Sequence, residues 1–282
     1  AHGAGSACGK KISKKTVDTI GSQKKENYAL KTDMTKNEFV KEVTKGLLPP
    51  PEYFPSNVNM NKLGYKDIDK IIQKSNKPIE PKHIEKLVSQ TKSVILDVRN
   101  KDDFAKFHIP RSIFVGIDGN FAPWVGNILK DINLPIILVT PRGREKETIT
   151  RLSRVGFDNT LGYLLGGIDA WKKYGKSTDT INRVKTNDLK KISMKRELNF
   201  YDLRKPSEYL SEHLSNAKNI PLDFINENLN LFPSDNPFYI HCQSGYRSMI
   251  AASILKRNGF HNLVDIEGGF KLIKETNFFN LK

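Results

Sequence analysis

Two cysteines, Cys8 and Cys242, stand in the 282 residues, and only Cys242 has the neighbours that a nucleophile needs. It ends the apolar run Pro237-Phe238-Tyr239-Ile240-His241 and is followed by Gln243-Ser244-Gly245-Tyr246-Arg247-Ser248, after which Ala251, Ala252, Ile254 and Leu255 fall on helical spacing. A strand end that feeds a helix start aims unpaired backbone N–H groups and the positive end of the helix dipole at the thiol. That arrangement stabilises a thiolate and anything anionic bound to it. The thiolate is the reactive form, so Cys242 is the expected nucleophile of a covalent transfer. A free Cys is more often a small packed hydrophobe, but no other position joins Cys, Gly and Arg at a strand-to-helix junction.

The rest of the loop supplies the candidate site. Arg247, the second catalytic candidate, could bind an anionic donor or brace the loop in an ion pair, and both roles stay open. Gly245 is expected to supply a backbone conformation or a close approach that a Cβ would block. Gln243 and Tyr246 face the mouth by their position in the loop. Ser244 and Ser248 offer hydroxyls, that of Ser248 for the thiolate or for capping the helix. Strand alternation turns His241 to the side opposite Cys242, which argues against a general base. No metal-ligand set is seen.

Four residues separate Cys242 from Arg247. Cysteine phosphatases place five between the two, and a smaller ring of N–H groups encloses a tetrahedral oxyanion less well and suits one added sulfur. With Asp202-Leu203-Arg204, Glu208-Tyr209, His213 and Glu267-Gly268-Gly269-Phe270 in the same order, the segment resembles the rhodanese sulfurtransferases. The resemblance implies a Cys242 persulfide that moves sulfur from a low-molecular-weight persulfide or thiosulfate to sulfite, cyanide or a thiol, without a cofactor. A cysteine phosphatase or arsenate reductase is the enzymatic alternative. A non-catalytic interaction module built on the same fold is the other.

The chain also repeats itself. Ile95-Leu96-Asp97-Val98-Arg99 is echoed by Phe200-Tyr201-Asp202-Leu203-Arg204, Asp103-Phe104 by Glu208-Tyr209, His108-Ile109 by His213-Leu214, and Gly166-Gly167 by Gly268-Gly269. The fold class expected is therefore α/β, with two tandem rhodanese domains, each a parallel sheet flanked by helices, at 76–176 and 185–282. Strands are expected at 93–98, 136–139, 198–203, 238–242 and 263–266, and the polar run 176–180 suits a linker. Asp202, Arg204 and His213 recur in both copies and read as structural. In the first copy, aligning Gly143 with Gly245 puts Thr140 under Cys242, while aligning Arg144 with Arg247 puts Pro141 there. Neither is a thiol, so the first copy is expected to be inactive, with a degenerate anion pocket at Arg142 and Arg144 as the sharper alternative.

A formal charge of +15 suggests anionic partners, yet the lysines are scattered among acids and no nucleic-acid motif is present. No nucleic acid and no membrane is expected as a partner, since no run approaches the ~20 apolar residues of a span and no signal peptide opens the chain. Two cysteines cannot form a disulfide framework, so a reducing, cytoplasmic location is expected and a homo-oligomer is left open. His2-Gly3-Ala4-Gly5-Ser6-Ala7-Cys8-Gly9 resembles the last metal-site motif of the metallo-β-lactamase fold in the persulfide dioxygenase and glyoxalase II branch. Gly46-Leu47-Leu48-Pro49-Pro50-Pro51 and Tyr53-Phe54-Pro55 resemble the tail of that domain in CstB-type fusions with two rhodanese modules, which act in sulfide detoxification. By that resemblance residues 1–75 are a C-terminal remnant plus linker, and iron belongs only to an amino-terminal domain missing here. The HxHxDH motif is absent, His2 alone cannot hold a metal, no cofactor is expected in this chain, and Cys8 is a bystander.

Overall fold

The computed structural model describes residues 17–30, 33–45 and 53–282. Among the described residues before Tyr53 are the short α-helices Ile20–Glu26 and Lys36–Thr44 and a 3-10 turn, Tyr28–Leu30. Thr35 and Glu38 form a reciprocal capping box at the start of the second, satisfying amides that a helix start leaves open. His2 and Cys8 lie outside the described residues.

From Tyr53 onward the chain builds two five-stranded parallel sheets. The first contains β1 (Pro78–Ile79), β2 (Val94–Asp97), β3 (Ile113–Phe114), β4 (Ile136–Val139) and β5 (Thr160–Leu164), in the order β1-β5-β4-β2-β3. The second contains β6 (Arg183–Val184), β7 (Asn199–Asp202), β8 (Ala217–Asn219), β9 (Phe238–His241) and β10 (Leu263–Ile266), in the order β6-β10-β9-β7-β8. The two orders superimpose strand for strand, as the repeat requires. β2, β4 and β9 are buried along their whole length because helices cover both faces, which is why they read as continuous apolar runs. The runs at 136–139 and 263–266 coincide with strands, while the other three lose a residue at one or both ends, where pairing stops as the chain turns into a loop.

Register settles the alignment that the sequence left open. Asp97 lies opposite Val139, and its counterpart Asp202 lies opposite His241. Val139 therefore corresponds to His241, and Thr140, the next residue, to Cys242.

The copies share one core. The Tyr246–Arg257 helix is buried at every position from Ser248 to Leu255, because it lies between its own sheet and the first copy. A helix that is apolar all round is a buried one. Ser253 Oγ accepts the Phe114 N–H at 3.0 Å across this interface. The polar run 176–180 is strapped to the first copy: His108 and Asp179 exchange both backbone hydrogen bonds, and Trp171 Nε1 donates to the Ser177 carbonyl at 2.8 Å. The helices Phe54–Leu63 and Ile68–Ser75 pack on the first copy as well, with the Tyr53 ring lying on Gly126 and Met60 on Gly156. Among the described residues no helix is long and apolar enough to cross a membrane.

Candidate active site

The strand β9 delivers Cys242 to the C-terminal edge of the second sheet, where it is buried and its Sγ accepts the Gly245 N–H at 3.2 Å. Gly245 caps the following helix with φ +96°, a left-handed conformation that only glycine adopts without strain. The loop is held from behind by the Gly269–Glu275 helix. Phe270 N–H donates to the Cys242 carbonyl at 2.7 Å and Lys271 N–H to that of Gln243 at 3.1 Å. Two loop carbonyls are drawn to that helix, and the Gly245 N–H is the loop amide that faces the sulfur among the hydrogen bonds of the described residues. The approach is so close that a Cβ on Gly269 would stand 2.4 Å from the Cys242 carbonyl oxygen.

Arg247 is anchored. Its guanidinium donates two hydrogen bonds to the Glu208 carboxylate, at 2.6 and 2.8 Å, and its side chain is only 16% exposed. Those bonds, against some desolvation, hold the Glu208 carboxyl below its usual range. Of the two roles left open for Arg247, the geometry displays the bracing one. Asp202 and Arg204 form a second brace: Arg204 Nη2 donates to Asp202 at 2.6 Å and to the Glu212 carbonyl at 2.8 Å, with its guanidinium over the Phe270 ring at 3.7 Å. Asp97, Arg99 and the Phe107 carbonyl repeat this in the first copy. His213 donates from Nδ1 to the Tyr209 carbonyl at 2.7 Å and stacks on that ring, as His108 does on Phe104. These groups serve structure in both copies.

Two expected site residues are elsewhere. Tyr246 reaches into the first copy, where its hydroxyl donates to the Gly116 carbonyl at 2.7 Å and its ring fills space beside Phe114 and Gly119. It is a docking anchor, because the interface offers it an apolar slot. Ser248 is fully buried and donates to Asp265 Oδ1 at 2.6 Å, so it neither caps the helix nor has its hydroxyl free for the sulfur. Gln243 and Ser244 are exposed, and Gln243 lines a groove of about 560 Å³ with Arg204, Phe270, Lys271 and Lys274. His241 is buried with Nδ1 4.0 Å from Asp202, and burial pushes its imidazole pKa down.

Asp265 heads a polar chain that the sequence did not reveal. Arg183 Nε donates to Asp265 Oδ2 at 3.1 Å and Arg183 Nη1 to Asp102 of the first copy at 2.7 Å. Burial raises the Asp265 carboxyl to about 6. No local motif could have found this, since it joins residues 163 positions apart and needs both domains docked.

In the first copy the same loop is closed upon itself. Gly143 keeps the left-handed turn with φ +82°, but its N–H goes to Glu145 Oε1 at 3.1 Å, and Thr140 Oγ1 donates to the same oxygen at 3.3 Å. Glu145 stands where the second copy has Arg247, and Asp103 where it has Glu208, so two acids replace an ion pair. Pro141, in the place of Gln243, has no N–H to offer. Arg144 is turned to Asp118 and Glu147, at 2.6 and 2.8 Å, which removes it from any anion pocket at this loop.

Residues 80–174 and 185–276 each match the rhodanese-like domain family. The chain belongs to that family, with two of its domains in tandem. It is 37% identical to YqhL of Bacillus subtilis over 76 residues, which cover 27% of this chain and 60% of that protein. It is 29% identical to the thiosulfate sulfurtransferase GlpE of Pseudomonas fluorescens over 75 residues, 27% of this chain and 69% of GlpE. A crystal structure of a rhodanese-like domain protein from Staphylococcus aureus is 32% identical and covers 33% of this chain and 91% of that one, with a TM-score of 0.32. The chain thus spans less than two thirds of YqhL.

Proposed function

We propose that the second copy is a sulfurtransferase whose carrier is a Cys242 persulfide. The Cys242 thiolate attacks the outer sulfur of thiosulfate or of a low-molecular-weight persulfide. A new S–S bond forms on Cys242, the donor's S–S bond breaks, and its electron pair leaves with sulfite or with the donor thiolate. An acceptor (sulfite, cyanide or a thiol) then takes the terminal sulfur, and the electron pair returns to Cys242. The observation that carries the reading is the Gly245 N–H on Cys242 Sγ, inside a loop whose carbonyls are drawn away by the Gly269–Glu275 helix. Similarity to a protein named as a thiosulfate sulfurtransferase supports it.

Intact mass spectrometry after exposure to thiosulfate tests it. One sulfur atom should be gained by the wild-type chain and none by Cys242→Ser, while Cys8→Ser gains one. Turnover of an aryl phosphate by the wild-type chain, with no sulfur gained, would replace the sulfurtransferase by phosphatase chemistry.

The wider setting is part of the same proposal. Residues 1–75 resemble the tail of a metallo-β-lactamase-type persulfide dioxygenase of the CstB kind, and sulfite is an acceptor that such a partner activity would supply. Among the described residues no group of three or more His, Cys, Asp and Glu fits a metal ion.

A further inference from the structure

The cations packed round the Cys242 loop are mostly engaged. Arg247 sits on Glu208, Arg204 on Asp202, and Arg183 bridges Asp102 and Asp265. A donor such as thiosulfate carries an anionic sulfonate group at the end away from the transferred sulfur. The Gly245 N–H serves the sulfur end, and the sulfonate end needs a cation outside the loop.

Lys101 meets that need, and it comes from the first copy. It opens the Lys101–Lys106 helix, and its Nζ, Cε and Cδ lie 3.6, 3.7 and 3.8 Å from the position a Cβ on Gly245 would take. The outer half of the side chain thus runs across the residue whose N–H holds the sulfur. Its ammonium has a loose partner, Asp102 at 3.4 Å, and that carboxylate already accepts from Arg183 at 2.7 Å. At 28% exposure the stem is held while the head stays within reach of solvent. Its field is felt beneath the loop, where it favours the ionised form of Asp265. Pro206 stands at the matching position of the second copy, which therefore has no such cation of its own.

On the reading that Cys242 carries sulfane sulfur, we propose that Lys101 is the donor-specificity residue of this active site, its ammonium binding the anionic end of the donor. The catalytically silent copy would then complete the site of the other with one charge.

The test compares the rate of sulfur loading on Cys242 from thiosulfate with that from cysteamine persulfide, whose far end is cationic. In the full chain, Lys101→Met should slow loading from thiosulfate roughly tenfold to a hundredfold, the loss of one charge-assisted contact, and leave cysteamine persulfide unchanged or faster. Lys101→Arg should restore thiosulfate loading. Lys191→Met, which removes one exposed charge far from the loop, and Asp102→Asn, which cuts the interdomain chain but keeps Lys101, should not show the selective loss. Equal losses for both donors in Lys101→Met, or the same selective loss in Asp102→Asn, would overturn the assignment by showing that Lys101 only braces the interface. A wild-type chain that loads from neither donor would overturn the sulfurtransferase reading itself, and the role of Lys101 with it.

Discussion

Glu145 holds the Gly143 N–H at 3.1 Å in the same loop position where Cys242 Sγ holds that of Gly245 at 3.2 Å. The first copy thus carries an anion of its own in its cradle. A thiol placed there would meet a carboxylate, and Pro141 would withhold one N–H. Thr140→Cys in a Cys242→Ser background should therefore gain no sulfur from thiosulfate by intact mass. Retention of one sulfur would mean that the nucleophile alone makes the site.

Gly167 and Gly269 offer a matched comparison. Both have φ +62°, so replacing either by alanine adds a similar left-handed strain of about 1–2 kcal/mol. Nothing lies within 4 Å of a Cβ on Gly167, whereas one on Gly269 strikes the Cys242 carbonyl. Thermal unfolding should show a modest loss for Gly167→Ala and a further ~1–3 kcal/mol for Gly269→Ala, the usual cost of overpacking. Only Gly269→Ala should also lose sulfur loading. Equal behaviour of the two variants would mean that the helix behind the loop does not shape it.

The strands and the Asp-Leu-Arg and Gly-Gly echoes were legible because a parallel sheet buried on both faces leaves continuous apolar runs, and because one fold used twice repeats its braces. Thr140 could not be chosen over Pro141 until the pairing of Asp97 with Val139 supplied a register. Tyr246 and Ser248 were misplaced for another reason. Their loop positions suggested the mouth for Tyr246 and the thiolate or a helix cap for Ser248, but a side chain's direction at a helix start depends on what packs against it, and here that is the other copy and the buried Asp265. Lys101 carried no local signal, since a lysine opening a short helix reads as a solvated charge.

Arg247 and Glu208 should behave as a unit. Arg247→Ala and Glu208→Ala should each slow sulfur loading, alike for thiosulfate and for cysteamine persulfide, since the pair holds the loop. In a double-mutant cycle for stability the two should couple by about 1–3 kcal/mol, as groups sharing one ion pair do. Additive effects, or a loss confined to thiosulfate in Arg247→Ala, would return the guanidinium to the donor.

Asp265 predicts a pH dependence. Burial raises its carboxyl from 3.8 to about 6, so between those values the folded chain keeps a proton that the unfolded chain has released. Its contribution to stability is complete below pH 3.8 and is lost as the pH rises through about 6. Asp265→Asn has no such titration. Urea unfolding from pH 4 to pH 7 should therefore show the variant gaining on the wild type by up to ~3 kcal/mol as the pH rises. A constant difference across that range would mean that Asp265 does not titrate in this way.

The helix Tyr246–Arg257 gives synthesis of the chain an order of events. The first copy leaves the ribosome before the helix that docks on it, and the contacts that this helix makes at Phe114 and Gly116 come from residues made more than a hundred positions later. Until they arrive, that face is open apolar surface on a nascent chain, exposed to whatever else is near. Covering that face and following the Cys242 loop fall to the same helix, which begins at the loop. The residues that cover the first copy and the one that carries the nucleophile therefore leave the ribosome together.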